Sequence, residues 1–310
     1  MKGVRVSTSS RRKQSRSNES TDNTLVSLVE PCLFELPEAG CSEPVLKRPS
    51  DPVWTENKAR FIERYLYYFV LVAKHGTYID GFAGPQRPAD PSMWSAKLVL
   101  ESEPRRLRHF YLFDVSVKSA KALHALKAEH SDRDIQVYQG DFNILIHDLL
   151  GSGAIKQSEA TFCLLDQRTF ECHWSTLTAL AQYKPSGHKI ELFYFLPNSW
   201  LHRAFAAQKK NPKPIEAWWG GNDWATWRDM PAYPRLAFFL ERFRKELGYR
   251  SVKAWSIYER QNGGNIMYYM IHATDHPAAP ELMLRAYQKA VKPKESYEQL
   301  SMEFQERNFI

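Results

Sequence analysis

Four aspartates in this sequence each end a short strand-like segment, where a carboxylate could accept hydrogen bonds from hydroxyl or amino groups of a ligand. They are Asp80, Asp114, Asp141 and Asp166. An acid after a strand also serves as a helix cap or a turn former, and each of the four taken alone fits that role about as well. Ligands of open parallel sheets bind outside the carboxyl ends of the strands. Four acids in this repeated position therefore favour a shared ligand site.

The first of these acids leads directly into a glycine-containing turn. Asp80 is followed by Gly-Phe-Ala-Gly-Pro. Tyr78 and Ile79 before it are strand formers, whereas Gly81 and Gly84 suit a turn with unusual backbone angles or a close approach to a ligand. The pattern predicts a first strand and a ligand-cradling turn, and a plain connection between two elements is the alternative.

Apolar periodicity predicts the elements that position these residues. Residues 54–75 have the spacing of an amphipathic helix, whose aromatic stripe we expect in the core. Five strand-like segments then alternate with helices, which requires crossover connections and predicts a parallel sheet. The third strand is predicted at 136–141, the helix after it at 144–150, and a later helix at 236–247. The last two strands, at 251–259 and 265–273, are joined by Gln-Asn-Gly-Gly, a strong hairpin signal.

The predicted fold class is therefore α/β, with a doubly wound, mostly parallel, seven-stranded sheet, a terminal antiparallel hairpin and a helical insertion. The folded domain is expected at 51–295, with the insertion at about 200–235, and 296–310 is expected to be a C-terminal tail. Residues 1–50 read as a disordered or draped basic arm. The net charge is +7, and part of this excess lies in the first 16 residues. A solvated tail and an electrostatic contact with nucleic acid fit that arm about equally.

The insertion contains a dense tryptophan cluster with nearby lysines. The four indoles belong to Trp218, Trp219, Trp224 and Trp227. Aromatic rings with positive charge suit stacking on single-stranded nucleic acid. A small hydrophobic subdomain or a partner interface is the alternative, and these two together are favoured over nucleic acid.

The chain shows no signal for a membrane span or a metal site. No apolar run reaches the ~20 residues needed to cross a bilayer, and a soluble cytoplasmic protein is expected. The four cysteines form no CxxC pair and no zinc-like spacing with histidine. Cys163 is expected in the core, and Cys172 fits either a structural residue or a reactive thiol.

This succession of segments resembles the class I S-adenosylmethionine-dependent methyltransferases and, at finer grain, the three-Cys-motif partner protein family (TcmP). The finer resemblance covers about Trp54 to Val291. Its segments are Lys58 to His75, Tyr78 to Pro85, Leu165 to Phe170 with Trp174, and Tyr268 to Pro277. The family name refers to cysteines in a partner protein, so the resemblance implies such a partner.

The resemblance implies that S-adenosylmethionine is the cofactor. The implied cofactor-binding residues are Asp80, Gly81, Phe82, Ala83, Gly84, Asp114, Asp141, Phe142 and Asp166. The turn would pass the methionine part, with Asp80 accepting hydrogen bonds or holding the amino group, and Asp114 would accept from the ribose hydroxyls. Asp141 would take the adenine amino group while Phe142 packs on the ring.

The methyl-transfer point is expected at Asp166, Gln167 and Arg168. The segment after Asp166 lacks the Asp/Asn-Pro-Pro-aromatic clamp that amino-methylating enzymes use on nucleic-acid bases, so methylation of adenine N6 or cytosine N4 is not expected. Arg168 suits an anionic substrate, or a structural ion pair. Gln86 stands where a further glycine would suit the cofactor turn.

The functional expectation is methyl transfer to a substrate related to nucleic acid or delivered by a partner. The alternative is a non-catalytic scaffold or partner subunit that binds a protein or nucleic acid. The row of four aspartates favours ligand binding, whereas the sparse glycines and the missing clamp favour the scaffold. The oligomeric state does not follow from the sequence.

Overall fold

A computed structural model describes residues 54–86, 91–208, 210–260 and 263–291. The predicted basic arm, the C-terminal tail and the centre of the hairpin connection lie outside these residues. Seven strands form one sheet: β1 Gly76–Asp80, β2 Leu107–Asp114, β3 Asp134–Gln139, β4 Thr161–Leu165, β5 Glu191–Pro197, β6 Ser251–Arg260 and β7 Gly263–Thr274.

The strand order is β3-β2-β1-β4-β5-β7-β6. The first five strands pair in parallel, and β7 is antiparallel to both β5 and β6. This arrangement confirms the predicted fold class, the mostly parallel doubly wound sheet with a terminal antiparallel pair. The order of the strands reverses next to β1, so its carboxyl end lies where such sheets bind ligands.

Ten α-helices are described: α1 Trp54–Ala73, α2 Ser95–Glu101, α3 Val117–Glu129, α4 Phe142–Gly151, α5 Trp174–Gln182, α6 Leu201–Ala207, α7 Lys213–Trp219, α8 Trp224–Arg228, α9 Ala232–Lys245 and α10 Ala279–Val291. Among the described residues, no helix is both long enough and apolar enough to cross a membrane.

Two hydrophobic cores lie on opposite faces of the sheet, because successive strand residues point to opposite sides. Tyr78, Phe162 and Phe193 pack in the core that also contains residues of α1, α2, α3 and α10. Ile79 and Cys163 pack in the other core, with residues of α4, α5 and α6 to α9. The aromatic stripe of α1 is buried, as predicted.

The third strand and its helix differ from the predicted bounds. β3 ends at Gln139, because the next residue, Gly140, takes a φ of +152°. The last hydrogen bond to β2 runs from the Gly140 N–H to the Asp114 carbonyl at 3.0 Å. Asp141 therefore does not end a strand. It is the N-cap of α4, and its side chain accepts the backbone N–H of Asn143. The cap lets α4 begin earlier than the apolar pattern indicated.

The insertion differs in a similar way. Its residues form the three short helices α6, α7 and α8, and α9 begins at Ala232 rather than at 236. Pro231 precedes α9 and Pro234 lies in its first turn, a position where proline leaves no helical hydrogen bond unmade. The helix therefore includes four residues that the sequence placed in the insertion.

Candidate functional site

The carboxyl ends of β2, β1 and β4 lie side by side, since these strands are neighbours in the sheet. Asp114 and Asp80 are the last residues of their strands, and Asp166 directly follows β4. Asp141 is two residues beyond β3, at the outer end of the same row. The parallel topology thus brings the four sequence-predicted acids to one edge.

Asp80 is buried, with an exposed fraction of 2%. The hydroxyl of Tyr78 donates to its Oδ2 at 2.9 Å, and the N–H of Phe82 donates to its Oδ1 at 3.1 Å. Burial raises the pKa of Asp80 to about 7, although these two hydrogen bonds act in the opposite direction. Repulsion from Asp166 and Asp114 adds to the rise. This carboxyl can therefore exchange a proton near neutral pH.

Asp166 is held by a lysine that the sequence analysis did not select. Lys58 of α1 donates from Nζ to Asp166 Oδ2 at 2.5 Å, and the amide of Gln86 donates to the same oxygen at 3.2 Å. The ammonium also lies 4.8 Å from the centre of the Phe195 ring. Burial raises the pKa of Asp166, and attraction to Lys58 lowers it. The sequence did contain a signal for this position of Lys58: it lies three residues before Phe61, on the apolar side of the predicted helix.

The turn after β1 closes onto Asp114. The N–H of Gly84 donates to Asp114 Oδ2 at 3.0 Å, and Ser116 N donates to Oδ1 at 2.8 Å. A Cβ on Gly84 would lie 2.2 Å from that Oδ2 and 2.4 Å from the Cβ of Ser119, so only glycine fits. A Cβ on Gly81 would lie 3.0 Å from the ring of Phe142. The sequence predicted a close approach of this turn to a ligand; in the structure the group that lies against Gly84 is the Asp114 side chain.

The aromatic residues expected around a ligand ring pack against each other. Phe142 is buried, with its ring centre 5.1 Å from that of Phe113 and 5.9 Å from that of Phe82. The backbone N–H of Ala83 donates a hydrogen bond to the Phe113 carbonyl at 2.8 Å. A ligand ring would have to enter between groups that are now in contact.

Gln167 and Arg168 occupy different environments. Gln167 is buried, and its Oε1 accepts the N–H groups of Glu171 at 3.1 Å and Cys172 at 2.8 Å. Its side chain thus holds the loop after β4. Arg168 is exposed, its carbonyl accepts Trp200 Nε1 at 3.1 Å, and no ion pair of its guanidinium occurs in the part of the chain that the structure describes.

A small cavity, open to solvent and with room for about one water molecule, lies between the turn, the start of α2 and the end of β4. Its wall combines Asp80 and Asp166 with the apolar side chains Phe82, Met93 and Trp94. Carboxylates beside apolar groups suit a cation that carries alkyl groups. Pockets that take whole small ligands are typically ~300–1,000 Å³, far larger than this cavity. The carboxylates therefore suit the charged part of S-adenosylmethionine, whereas the cavity in this conformation does not enclose the whole molecule.

The tryptophan cluster forms part of a core. Trp218, Trp219 and Trp227 are at most 2% exposed. Trp218 Nε1 donates to the hydroxyl of Tyr194 at 2.6 Å, beneath the sheet. Trp224 is half-buried. The three buried indoles cannot stack on a base in this conformation. Their burial favours the alternative of a small hydrophobic subdomain.

The environment of the two described cysteines does not suit reactive thiols. Cys163 and Cys172 are both fully buried. Burial raises the pKa of each thiol, so the nucleophilic thiolate is disfavoured. Among the described residues, no group of three or more histidine, cysteine or acidic side chains could hold a metal ion.

No family model and no curated protein sequence matches this chain. Among solved structures, TYW2 of M. jannaschii in complex with AdoMet is 10% identical, with a TM-score of 0.36, over 73% of this chain and 76% of that one. A putative class I S-adenosylmethionine-dependent methyltransferase of Listeria monocytogenes (lmo1582) is 9% identical, with a TM-score of 0.38, over 82% and 74%. Human methyltransferase-like protein 13 in complex with SAH is 9% identical, with a TM-score of 0.37, over 81% and 99%. These likenesses are too distant to carry an argument about chemistry, and the fold class rests on the strand order itself.

Proposed function

We propose that this chain binds S-adenosylmethionine at the carboxyl edge of its sheet and transfers the methyl group to an acceptor. The observation that carries the proposal is the gathering of Asp80, Asp114 and Asp166 on neighbouring strands, two of them beside one cavity. Among the described residues, Asp80 has no ion-pair partner. A buried carboxylate without a cation is costly, and a cationic ligand would compensate it.

Each residue has a task that follows from its chemistry. S-adenosylmethionine supplies an activated methyl group on a positively charged sulfur. Asp80 would accept hydrogen bonds from the ammonium group of the ligand. Asp114 would accept from ribose hydroxyls, because each carboxylate oxygen accepts more than one hydrogen bond. Asp166, held by Lys58, would lie at the transfer point.

The acceptor belongs to the same proposal. We place it among substrates that are related to nucleic acid or delivered by a protein partner with a three-cysteine motif, acting in the cytoplasm. The exposed Arg168 supports an anionic acceptor, because its guanidinium is free of ion pairs to described residues and lies close enough to affect the pKa of Asp166. The sequence resemblance supports the partner.

Calorimetric titration with S-adenosylmethionine and S-adenosylhomocysteine tests the proposal. We expect micromolar binding by the unmodified chain and at least tenfold weaker binding by Asp114→Asn. Asp148→Asn is the matched control, because Asp148 is exposed on α4, away from the row. No heat and no thermal shift at millimolar ligand would refute the proposal.

A second candidate is a non-catalytic subunit that keeps the sheet as a scaffold for a protein or nucleic-acid partner. The closed turn favours this candidate, since the N–H of Gly84 already donates a hydrogen bond to the Asp114 carboxylate and the cavity is small. The same titration separates the two candidates. A scaffold predicts no cofactor binding by a chain that is folded and unfolds cooperatively.

A further inference from the structure

The side chain of Asn143 forms four hydrogen bonds at the row of acids. Its Nδ2 donates to Asp141 Oδ1 at 2.9 Å and to the Glu171 carbonyl at 2.8 Å. Its Oδ1 accepts the His173 N–H and the Thr176 hydroxyl, both at 2.8 Å. A carboxamide has two N–H donors and two acceptor lone pairs. The amide of Asn143 therefore uses its whole capacity.

These bonds join parts of the chain that follow different strands. Asp141 follows β3, whereas residues 171–173 belong to the loop after β4, and β2 and β1 lie between those two strands. Thr176 lies in the first turn of α5. One side chain on the first turn of α4 thus fixes the outer acid of the row and the loop that follows Asp166.

The same loop is held from its other side by Gln167. Its Oε1 binds the N–H groups of Glu171 and Cys172, and its Nε2 donates to the Phe195 carbonyl at 3.4 Å. The backbone of residues 171–173 is thereby clamped between two amides. Of these two amides, that of Asn143 also donates a hydrogen bond to one of the four acids, Asp141.

Both hydrogen bonds to the Asp141 carboxylate fall on Oδ1, from the N–H and from the Nδ2 of Asn143. No described residue donates to Oδ2. Since the side chain of Asp141 is exposed, Asn143 leaves one oriented oxygen to accept a hydrogen bond from a ligand.

We propose that Asn143 is a positioning residue, which orients Asp141 toward the ligand and ties it to the loop that carries Asp166 and Arg168. The inference rests on the proposed function, because it assigns the ligand contact to the edge where S-adenosylmethionine would bind. Asn143 acts through Asp141 and needs no contact with the ligand itself. A carboxylate at position 143 would lose both donors and repel Asp141.

The test is calorimetric titration of the full chain with S-adenosylhomocysteine at pH 8, with urea unfolding of each variant beside it. For Asn143→Asp we expect binding about tenfold weaker than that of the unmodified chain, the equivalent of about 1.4 kcal/mol. A role in folding alone would lower the urea midpoint and leave the affinity of the folded protein unchanged.

Two further variants complete the test. Asn222→Asp adds the same charge at an exposed position of the insertion and should leave binding within twofold. Thr176→Val removes one donor to Asn143 without adding charge, and should weaken binding two- to threefold even if Asn143→Asp fails to fold. Wild-type affinity in a folded Asn143→Asp, or wild-type affinity in Thr176→Val, would overturn the inference. Absence of binding by the unmodified chain would instead refute the proposed function, and the inference would fall with it.

Discussion

Replacement of Asp80 by asparagine should stabilise the protein above neutral pH. Asp80 is 2% exposed, and its pKa rises from 3.8 to about 7, mainly because of burial. One pH unit corresponds to about 1.36 kcal/mol, so ionising this carboxyl in the folded protein costs about 4 kcal/mol more than in the unfolded chain. The replacement removes that cost.

The sign follows from proton linkage. Between pH 4 and pH 7 the folded protein keeps the proton on Asp80, whereas the unfolded chain has released it. This group therefore makes stability fall as pH rises through that range, by about 1.4 kcal/mol per unit, and contributes a constant penalty above it.

Asparagine brings a smaller loss of its own. The Asp80 carboxylate accepts from both Tyr78 and Phe82, and an asparagine Oδ1 replaces only one of its two oxygens. A lost hydrogen bond costs about 0.5–1.5 kcal/mol. Asp80→Asn should thus be more stable than the unmodified chain by roughly 2.5–3.5 kcal/mol at pH 8. At about pH 5 the two proteins should be nearly equal.

Urea unfolding at half-unit steps from pH 5 to pH 8 measures this difference. The exposed Asp148→Asn serves as control and should show no such trend. If the stability difference between Asp80→Asn and the unmodified chain stays flat within about 0.5 kcal/mol, Asp80 is ionised throughout and the reasoning from burial is wrong.

Three other replacements are expected to destabilise the protein, each measured by urea unfolding at pH 7.5. Lys58→Met leaves Asp166 without its cation and should cost about 3–5 kcal/mol; a smaller loss at pH 5 than at pH 8 would identify the uncompensated charge, and equal losses would contradict it. Gly84→Ala places a methyl group 2.2 Å from a carboxylate oxygen and should cost about 1–3 kcal/mol; an unchanged midpoint would show that the turn is loose. Trp218→Ala should cost about 3–5 kcal/mol, against under about 0.5 kcal/mol for the 77% exposed Tyr233→Ala. A loss of nucleic-acid binding by Trp218→Ala without a loss of stability would support the stacking alternative.

The strand succession was predictable because it depends on local patterns. Apolar segments of strand length alternate with amphipathic helices, and parallel pairing through crossover connections follows from that alternation. The Asn-Gly-Gly segment predicted the antiparallel end. The bounds near Asp141 were not predictable from apolar periodicity, because a helix cap and a positive φ at Gly140 ended β3 and started α4.

The role of each side chain depended on contacts between residues distant in sequence. Lys58 and Asp166 are separated by 108 positions, yet their charged groups meet at 2.5 Å. Trp218 belongs to a segment whose tryptophans and nearby lysines suit a stacking surface. Packing beneath the sheet nevertheless buries it completely. Asn143 belongs to no recognisable sequence motif. The four hydrogen-bond partners of its side chain come together only when β3 and β4 join the same sheet.

The sequence by itself determined the order and type of the elements and the placement of Asp80, Asp114 and Asp166 at strand ends, because period and turn chemistry act over a few residues. The tertiary structure alone decided which acids are buried, which are paired and how much space lies between them. Burial and pairing depend on distances of a few ångströms between separate elements, and sequence spacing does not encode those distances. That is why the pKa of Asp80, the lysine at Asp166 and the closed turn at Gly84 emerge only from the folded chain.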